Sequence, residues 1–218
     1  MANGSSLISF LKEVWAFIAE AFGYGWKSFK ANAPFFIGFM VVIAMITIVP
    51  DVITDKIFEP RSTPLIIVKF FLRLIGLVLG MAATRISLDI YDSGKPDLSK
   101  LKDLLPMTLP YIFGKFIYGL IVLVGLALLI VPGIIVAYMF LYVGYLIVDR
   151  GMGPIVALQE SRVLTDGYKW HLFFFSIIVM IANLIGAVCL FVGLFVSIPT
   201  TLMAFVYIYR KLSPAESA

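Results

Sequence analysis

LFFFSIIVMIANLIGAVCLFVGLFVSIPTTLMAFVYIY, Leu172–Tyr209, runs for 38 residues without a charge. A helix crosses the ~30 Å hydrocarbon core of a bilayer with ~20 apolar residues. The run therefore predicts two spans and a turn, which we place between Gly193 and Pro199. Upstream, Leu104–Val148 repeats the argument: its 45 residues hold one charge, Lys115. Two further spans are expected there, with the turn between Gly125 and Pro132. A soluble core could not hide such runs. The 218-residue chain is 61% hydrophobic and 14% charged, with a mean hydropathy of +1.04, against roughly 45–50% apolar and about 25% charged in soluble domains. The predicted fold class is an all-α membrane helical bundle, a single integral domain over 1–218.

The N-terminal half completes the set. Ala31–Pro50 carries no charge and spans once. Residues 51–64, with Asp51, Asp55, Lys56 and Glu59, read as a loop on the far side. A second helix over 65–91 holds Lys69, Arg73, Arg85 and Asp89. The twelve residues from Arg73 to Arg85 reach about 18 Å, and long side chains extend outward from both ends. Its Gly76-x-x-x-Gly80 motif predicts a close helix–helix approach and a central position. Polar segments precede each hairpin. Residues 5–22 place Leu7, Leu11, Val14, Ile18 and Ala21 at helical spacing, which predicts an interfacial helix interrupted at Gly23 and Gly25. A short helix is expected over Asp97–Leu105. Another is expected within 149–171, opening at Gly153-Pro154, ending at Asp166-Gly167 and sharing a face among Ala157, Ser161, Leu164 and Tyr168. The count is six transmembrane helices in three hairpins, each led by an interfacial helix.

The later hairpins echo one another. Gly119 and Pro132 are thirteen apart, as are Gly186 and Pro199, and each pair encloses Val-Gly-Leu. The second helix of each hairpin ends on a related stretch: Asp89-Ile-Tyr-Asp-Ser-Gly-Lys-Pro96, Asp149-Arg-Gly-Met-Gly-Pro154 and Arg210-Lys-Leu-Ser-Pro214. These predict an internal repeat over 5–91, 92–149 and 150–212.

Basic residues gather on cytoplasmic segments of membrane proteins. Placing the N-terminus, 92–106, 149–171 and the C-terminus on one side puts twelve Lys and Arg there against four opposite. Both termini are then expected in the cytoplasm. The net charge of +4 is dispersed and predicts contact with anionic lipid headgroups rather than nucleic acid. Lys12, Glu13 and Glu20 break the first apolar segment, so no cleaved signal is expected there. One cysteine, Cys189, excludes an internal disulfide and a thiolate metal cluster.

Chemistry-bearing residues are few. Lys115 lies inside an apolar run, where a charge marks function by default; the plainer alternative is a side chain that snorkels to the interface. Asp89 is its expected partner. Arg85 and Asp89 sit four apart and pair on one helix face. Asn183, in mid-span, is expected to hydrogen-bond to another helix. Tyr138, Tyr142 and Tyr145 line the fourth helix. His171, the single histidine, lacks neighbouring metal ligands and reads as an interfacial residue. No phosphate loop, nucleophile elbow, HExxH or CxxC motif occurs. No catalytic, cofactor or metal residues are assigned.

Three stretches carry a resemblance: Arg85-Ile-Ser-Leu-Asp-Ile-Tyr-Asp-Ser-Gly-Lys-Pro-Asp-Leu-Ser-Lys-Leu101, Leu128-Leu-Ile-Val-Pro-Gly-Ile-Ile-Val-Ala-Tyr138, and Leu146 to Trp170 with its Ala157…Ser161…Thr165-x-Gly167 pattern. Over nearly its whole length the chain resembles bacterial six-helix inner-membrane proteins of uncharacterised function. It is also similar to the membrane domain fused to some glycerophosphodiester phosphodiesterases. That activity resides in a separate soluble barrel with acidic and histidine residues, so the resemblance transfers no catalytic residue. Where that family often carries Trp after the Ser, Arg162 follows Ser161. The expected function is non-enzymatic: a lipid-associated or scaffolding protein of the bacterial inner membrane, or an accessory subunit of a membrane complex, with membrane lipids and other subunits as partners. The competing expectation is a small transporter or channel whose polar site comprises Lys115, Asn183 and the charges of the second helix. An intramembrane enzyme would need clustered titratable groups that the linear sequence does not supply.

Overall fold

A computed structural model describes residues 3–59, 62–189 and 192–213. Among these residues every regular element is helical. Five helices or helical runs are long and apolar enough to cross a membrane: Ala33–Ile57, Thr63–Ser93, Leu98–Leu128, Ile130–Arg150 and Lys169–Val188. The chain is a membrane-type helical bundle.

Helix α1, Asn3–Ala31, continues through both Gly23 and Gly25, where an interruption was expected. Gly25 marks a crossing instead. A Cβ there would overlap the Thr200 carbonyl oxygen and stand 3.2 Å from the Ala204 amide nitrogen. Only glycine lets α1 lie so close to α9, Leu194–Leu212. The face Val14, Phe17, Ile18 and Ala21 is buried in the main core.

Helix α2, Ala33–Ile57, extends seven residues beyond Pro50 into the expected loop. Asp51 and Asp55, one turn apart, both reach Lys69 of α3 at 3.9 and 2.6 Å, and Arg73 approaches Asp51 at 3.9 Å. These pairs carry the hairpin past the apolar run. Arg61, counted above for topology, lies outside the described residues. Helix α3, Thr63–Ser93, ends on Gly94 at φ +77°. The segment expected as a short helix forms a 3₁₀ helix, Ser99–Met107.

Helices α4, Thr108–Leu128, and α5, Ile130–Met139, meet at Leu129, whose backbone is extended. This falls inside the predicted turn. The next turn lies earlier than predicted: α8, Lys169–Val188, ends at Cys189, and Gly193 caps α9. Pro199 is then a buried interior residue of α9, whereas Pro132 sits in the first turn of α5. The proposed correspondence of Gly119 with Gly186 and Pro132 with Pro199 thus joins structurally unlike positions. The tips do share a device. A Cβ on Gly125 would lie 3.0 Å from Gly133 Cα, and one on Gly193 would lie 2.7 Å from Gly186 Cα. In both hairpins the two arms touch glycine to glycine.

The fourth long element is broken. α5 stops at Met139, residues 140–142 form a turn, and α6 covers Val143–Arg150. Tyr138, Tyr142 and Tyr145 therefore do not share one helix. α7, Pro154–Leu164, follows and ends before Tyr168.

The C-terminal half of α3, α6 and α9 form the interior. They contribute Met81, Ile86, Leu88 and Ile90; Leu146, Ile147 and Val148; and Met203, Ala204, Val206 and Ile208, all at most 2% exposed. Helices α2, α4 and α8 surround them with exposed apolar faces such as Ile48, Phe116 and Leu184. Gly76 and Gly80 do not mark a crossing within this chain, contrary to the motif-based expectation. A Cβ at Gly76 meets nothing within 4 Å, and one at Gly80 meets only Tyr111 Oη at 3.8 Å.

Candidate functional site

The three echoing helix ends converge. Arg210 of α9 donates to Asp149 of α6 at 2.7 and 2.9 Å and to Asp92 of α3 at 3.1 and 2.6 Å. Tyr209 donates to Asp149 Oδ2 at 2.8 Å. Two-pronged guanidinium–carboxylate pairing is strong and directional, so one arginine fixes three helix termini. Arg150 adds a bond to Ser213 Oγ at 2.6 Å and approaches Glu160 of α7 at 3.7 Å. At the same end Lys211 pairs with Glu20 of α1. The hydrogen bond from Lys211 and its positive charge hold the Glu20 carboxyl below the ordinary carboxylate range.

A second cluster lies beside it. Asp89 Oδ1 receives Lys100 Nζ at 3.1 Å and faces Arg85 Nη2 at 3.5 Å. Asp89 is buried; its Oδ2 and Arg85 Nε have no hydrogen-bond partner among the described residues. Asp97 accepts from the Ser99 hydroxyl at 2.6 Å and amide at 3.0 Å, and these bonds lower its carboxyl from its usual value. The expected Arg85–Asp89 contact forms. The expected Lys115–Asp89 contact does not form: Lys115 packs against Gly144 and the Tyr111 and Tyr118 rings.

Lys115 lies elsewhere, half-buried on α4. Its Nζ stands 5.6 and 5.8 Å from the ring centres of Tyr111 and Tyr118, an arrangement in which the ring faces stabilise the cation. It makes no ion pair with the described residues. Its stem packs on α6 where residue 144 is glycine; a Cβ there would stand 2.8 Å from Lys115 Cε.

The break between α5 and α6 faces α7. Ser161 Oγ accepts the Tyr142 amide at 3.2 Å and donates to the Met139 carbonyl at 3.0 Å. Thr165 Oγ1 donates to the same carbonyl at 3.1 Å. Ser161, Thr165 and Tyr142 are all fully buried. Buried backbone groups freed by a break must find partners; Ser161 supplies them here, and Thr165 shares its hydroxyl proton between the Met139 carbonyl and its own helix's Ser161 carbonyl at 2.9 Å. The sequence held a trace of this in the Ala157…Ser161…Thr165 spacing, without indicating what the hydroxyls hold.

Asn183 forms none of the expected interhelical bonds; its Oδ1 is buried without a partner on α8. His171 sits among the rings of Phe10, Phe17 and Tyr168, with centroids 5.4 to 5.7 Å away. Among the described residues Lys115 and Asn183 make no hydrogen bond or ion pair with the α3 charges.

No protein family matches the chain, no curated protein is significantly similar to it, and no solved structure matches it.

Proposed function

We propose that the chain is a six-helix, three-hairpin protein of the bacterial cytoplasmic membrane, with hairpins α2–α3, α4–α5/α6 and α8–α9 and both termini in the cytoplasm. Its role is non-enzymatic: it binds membrane lipid and acts as a scaffold or accessory subunit of a larger membrane assembly. One observation carries this reading. The strongest polar interactions are spent on joining the hairpins, through Arg210, Asp92 and Asp149, rather than on lining a cavity. The basic segments 95–102, 149–169 and 210–211 adjoin that end, as cytoplasmic segments do. Extraction in native lipid, with mass spectrometry of what copurifies, tests the role: a stable partner or an enriched lipid is expected, and the absence of both refutes it. Single cysteines at Phe58, Leu129 and Ser93 in a Cys189→Ser background test the topology. The first two should label from outside and the third only after permeabilisation.

A second reading, a small transporter, is favoured by the broken α5–α6 run with unpaired Lys115 beside it. Broken helices build transport sites. It requires Lys115→Met to abolish flux of a charged solute into proteoliposomes.

A further inference from the structure

The outer surface carries a groove of about 240 Å³ between α5 and α8. One wall is the α5 face Val131, Ile134, Ile135 and Tyr138; the other is Phe173, Trp170 and Lys169. The lining is almost wholly apolar. Tyr138 and Phe173 meet edge to face at 6.0 Å, and Trp170 and Phe173 do so at 5.9 Å. The space exceeds the ~150 Å³ that admits a benzene ring. Its size and apolar lining suit a hydrocarbon chain, whereas a sugar would need hydrogen-bonding partners that the lining does not offer.

The mouth is chemically distinct. Lys169 and Trp170 stand together in the first turn of α8. The ammonium pairs at 3.1 Å with Asp166, whose side chain is 79% exposed. Such a pair is weak in water, and Lys169 can exchange it for a phosphate oxygen. Trp170, 61% exposed, is the side chain that settles at the headgroup boundary.

We propose that this groove is a binding site for one membrane phospholipid with an anionic headgroup: an acyl chain lies between α5 and α8, and the phosphate is held at Lys169 beside the Trp170 ring. The inference rests on the membrane-spanning reading of α5 and α8, deepens it by naming the lipid class, and sets the site at the junction of two hairpins.

The chain has three tryptophans, so Trp15→Phe with Trp26→Phe leaves Trp170 as sole reporter. This protein is reconstituted into phosphatidylcholine vesicles doped with either phosphatidylglycerol or phosphatidylcholine carrying brominated chains, which quench indole fluorescence on contact. The relative binding constant should favour phosphatidylglycerol about fivefold, the preference one basic side chain supplies at a membrane surface. Lys169→Gln should bring it to about one. Ile135→Phe, which fills the groove, should reduce quenching by both lipids. A ratio of one in the parent protein, with normal quenching, overturns the lipid site while leaving the spanning reading intact. Absence of quenching by either lipid overturns both.

Discussion

Ser161→Ala removes one oxygen and unties the α5–α6 break. Two hydrogen bonds are lost, at 3.2 and 3.0 Å. The Tyr142 amide, wholly buried, keeps no acceptor, which costs about 1–3 kcal/mol. The Met139 carbonyl retains Thr165 Oγ1, so its loss is that of one ordinary bond, about 0.5–1.5 kcal/mol. The sum predicts destabilisation of about 1.5–4.5 kcal/mol, well above the ~0.6 kcal/mol average for side-chain hydrogen bonds between membrane helices. Adding Thr165→Val strips the carbonyl as well and should cost about 1–3 kcal/mol more. Equilibrium unfolding in mixed micelles, followed by circular dichroism, measures the change; amide exchange at Tyr142 localises it. Ser161→Thr, which keeps the hydroxyl, should recover most of the loss. A Ser161→Ala effect below ~0.6 kcal/mol with Tyr142 still protected would refute the view that α7 holds the break together.

The α1–α9 crossing offers a paired test. Gly25→Leu forces a side chain against the Thr200 carbonyl and should cost about 1–3 kcal/mol as overpacking, read as faster proteolysis of α1. Gly23→Ala meets nothing within 4 Å and should be neutral or stabilising by about 0.4–1 kcal/mol in the same assay. Arg210→Gln leaves Asp149, 11% exposed at its side chain, without its cation; breaking such a pair costs about 3 kcal/mol, and Arg210→Lys should recover part of that in thermal unfolding. The docking of α1 should also depend on pH. Glu20 titrates below its ordinary 4.5 because Lys211 stabilises the carboxylate. The pair therefore contributes fully above pH 4.5, and its contribution is lost as pH falls through the lowered value. Trp26 emission should be flat from pH 7 to 5 and shift below 4.5; Glu20→Gln should abolish that shift.

Two long charge-poor runs made the class of the protein legible at once. In Leu104–Val148 and Leu172–Tyr209 nothing but lipid can solvate so many apolar side chains; glycine and proline bracketed the turn of the first run, whereas the second run turns ahead of the Gly193–Pro199 window. The Lys69–Asp55 and Arg85–Asp89 contacts were also readable, because both partners lie on one helix or in one hairpin. Other features were not. A buried leucine and a lipid-facing leucine are the same letter, so single positions do not tell inside from outside; only the lower average hydropathy of α3, α6 and α9 against α2, α4 and α8 carries that distinction. Gly76-x-x-x-Gly80 looked like a crossing and Gly25 like a helix end; the reverse holds, because a crossing depends on which surface arrives from a distant part of the chain.

The sequence by itself determined that this is a helical protein with several runs long and apolar enough to cross a membrane, and which helix ends resemble one another. Only the tertiary structure decided that Arg210 ties those ends into one node and that Ser161 and Thr165 meet the backbone of a broken helix. The physical reason is separation along the chain. Hydrophobic patterning and turns act within a few residues, whereas these contacts join residues from 19 to 118 positions apart and exist only once the hairpins have packed.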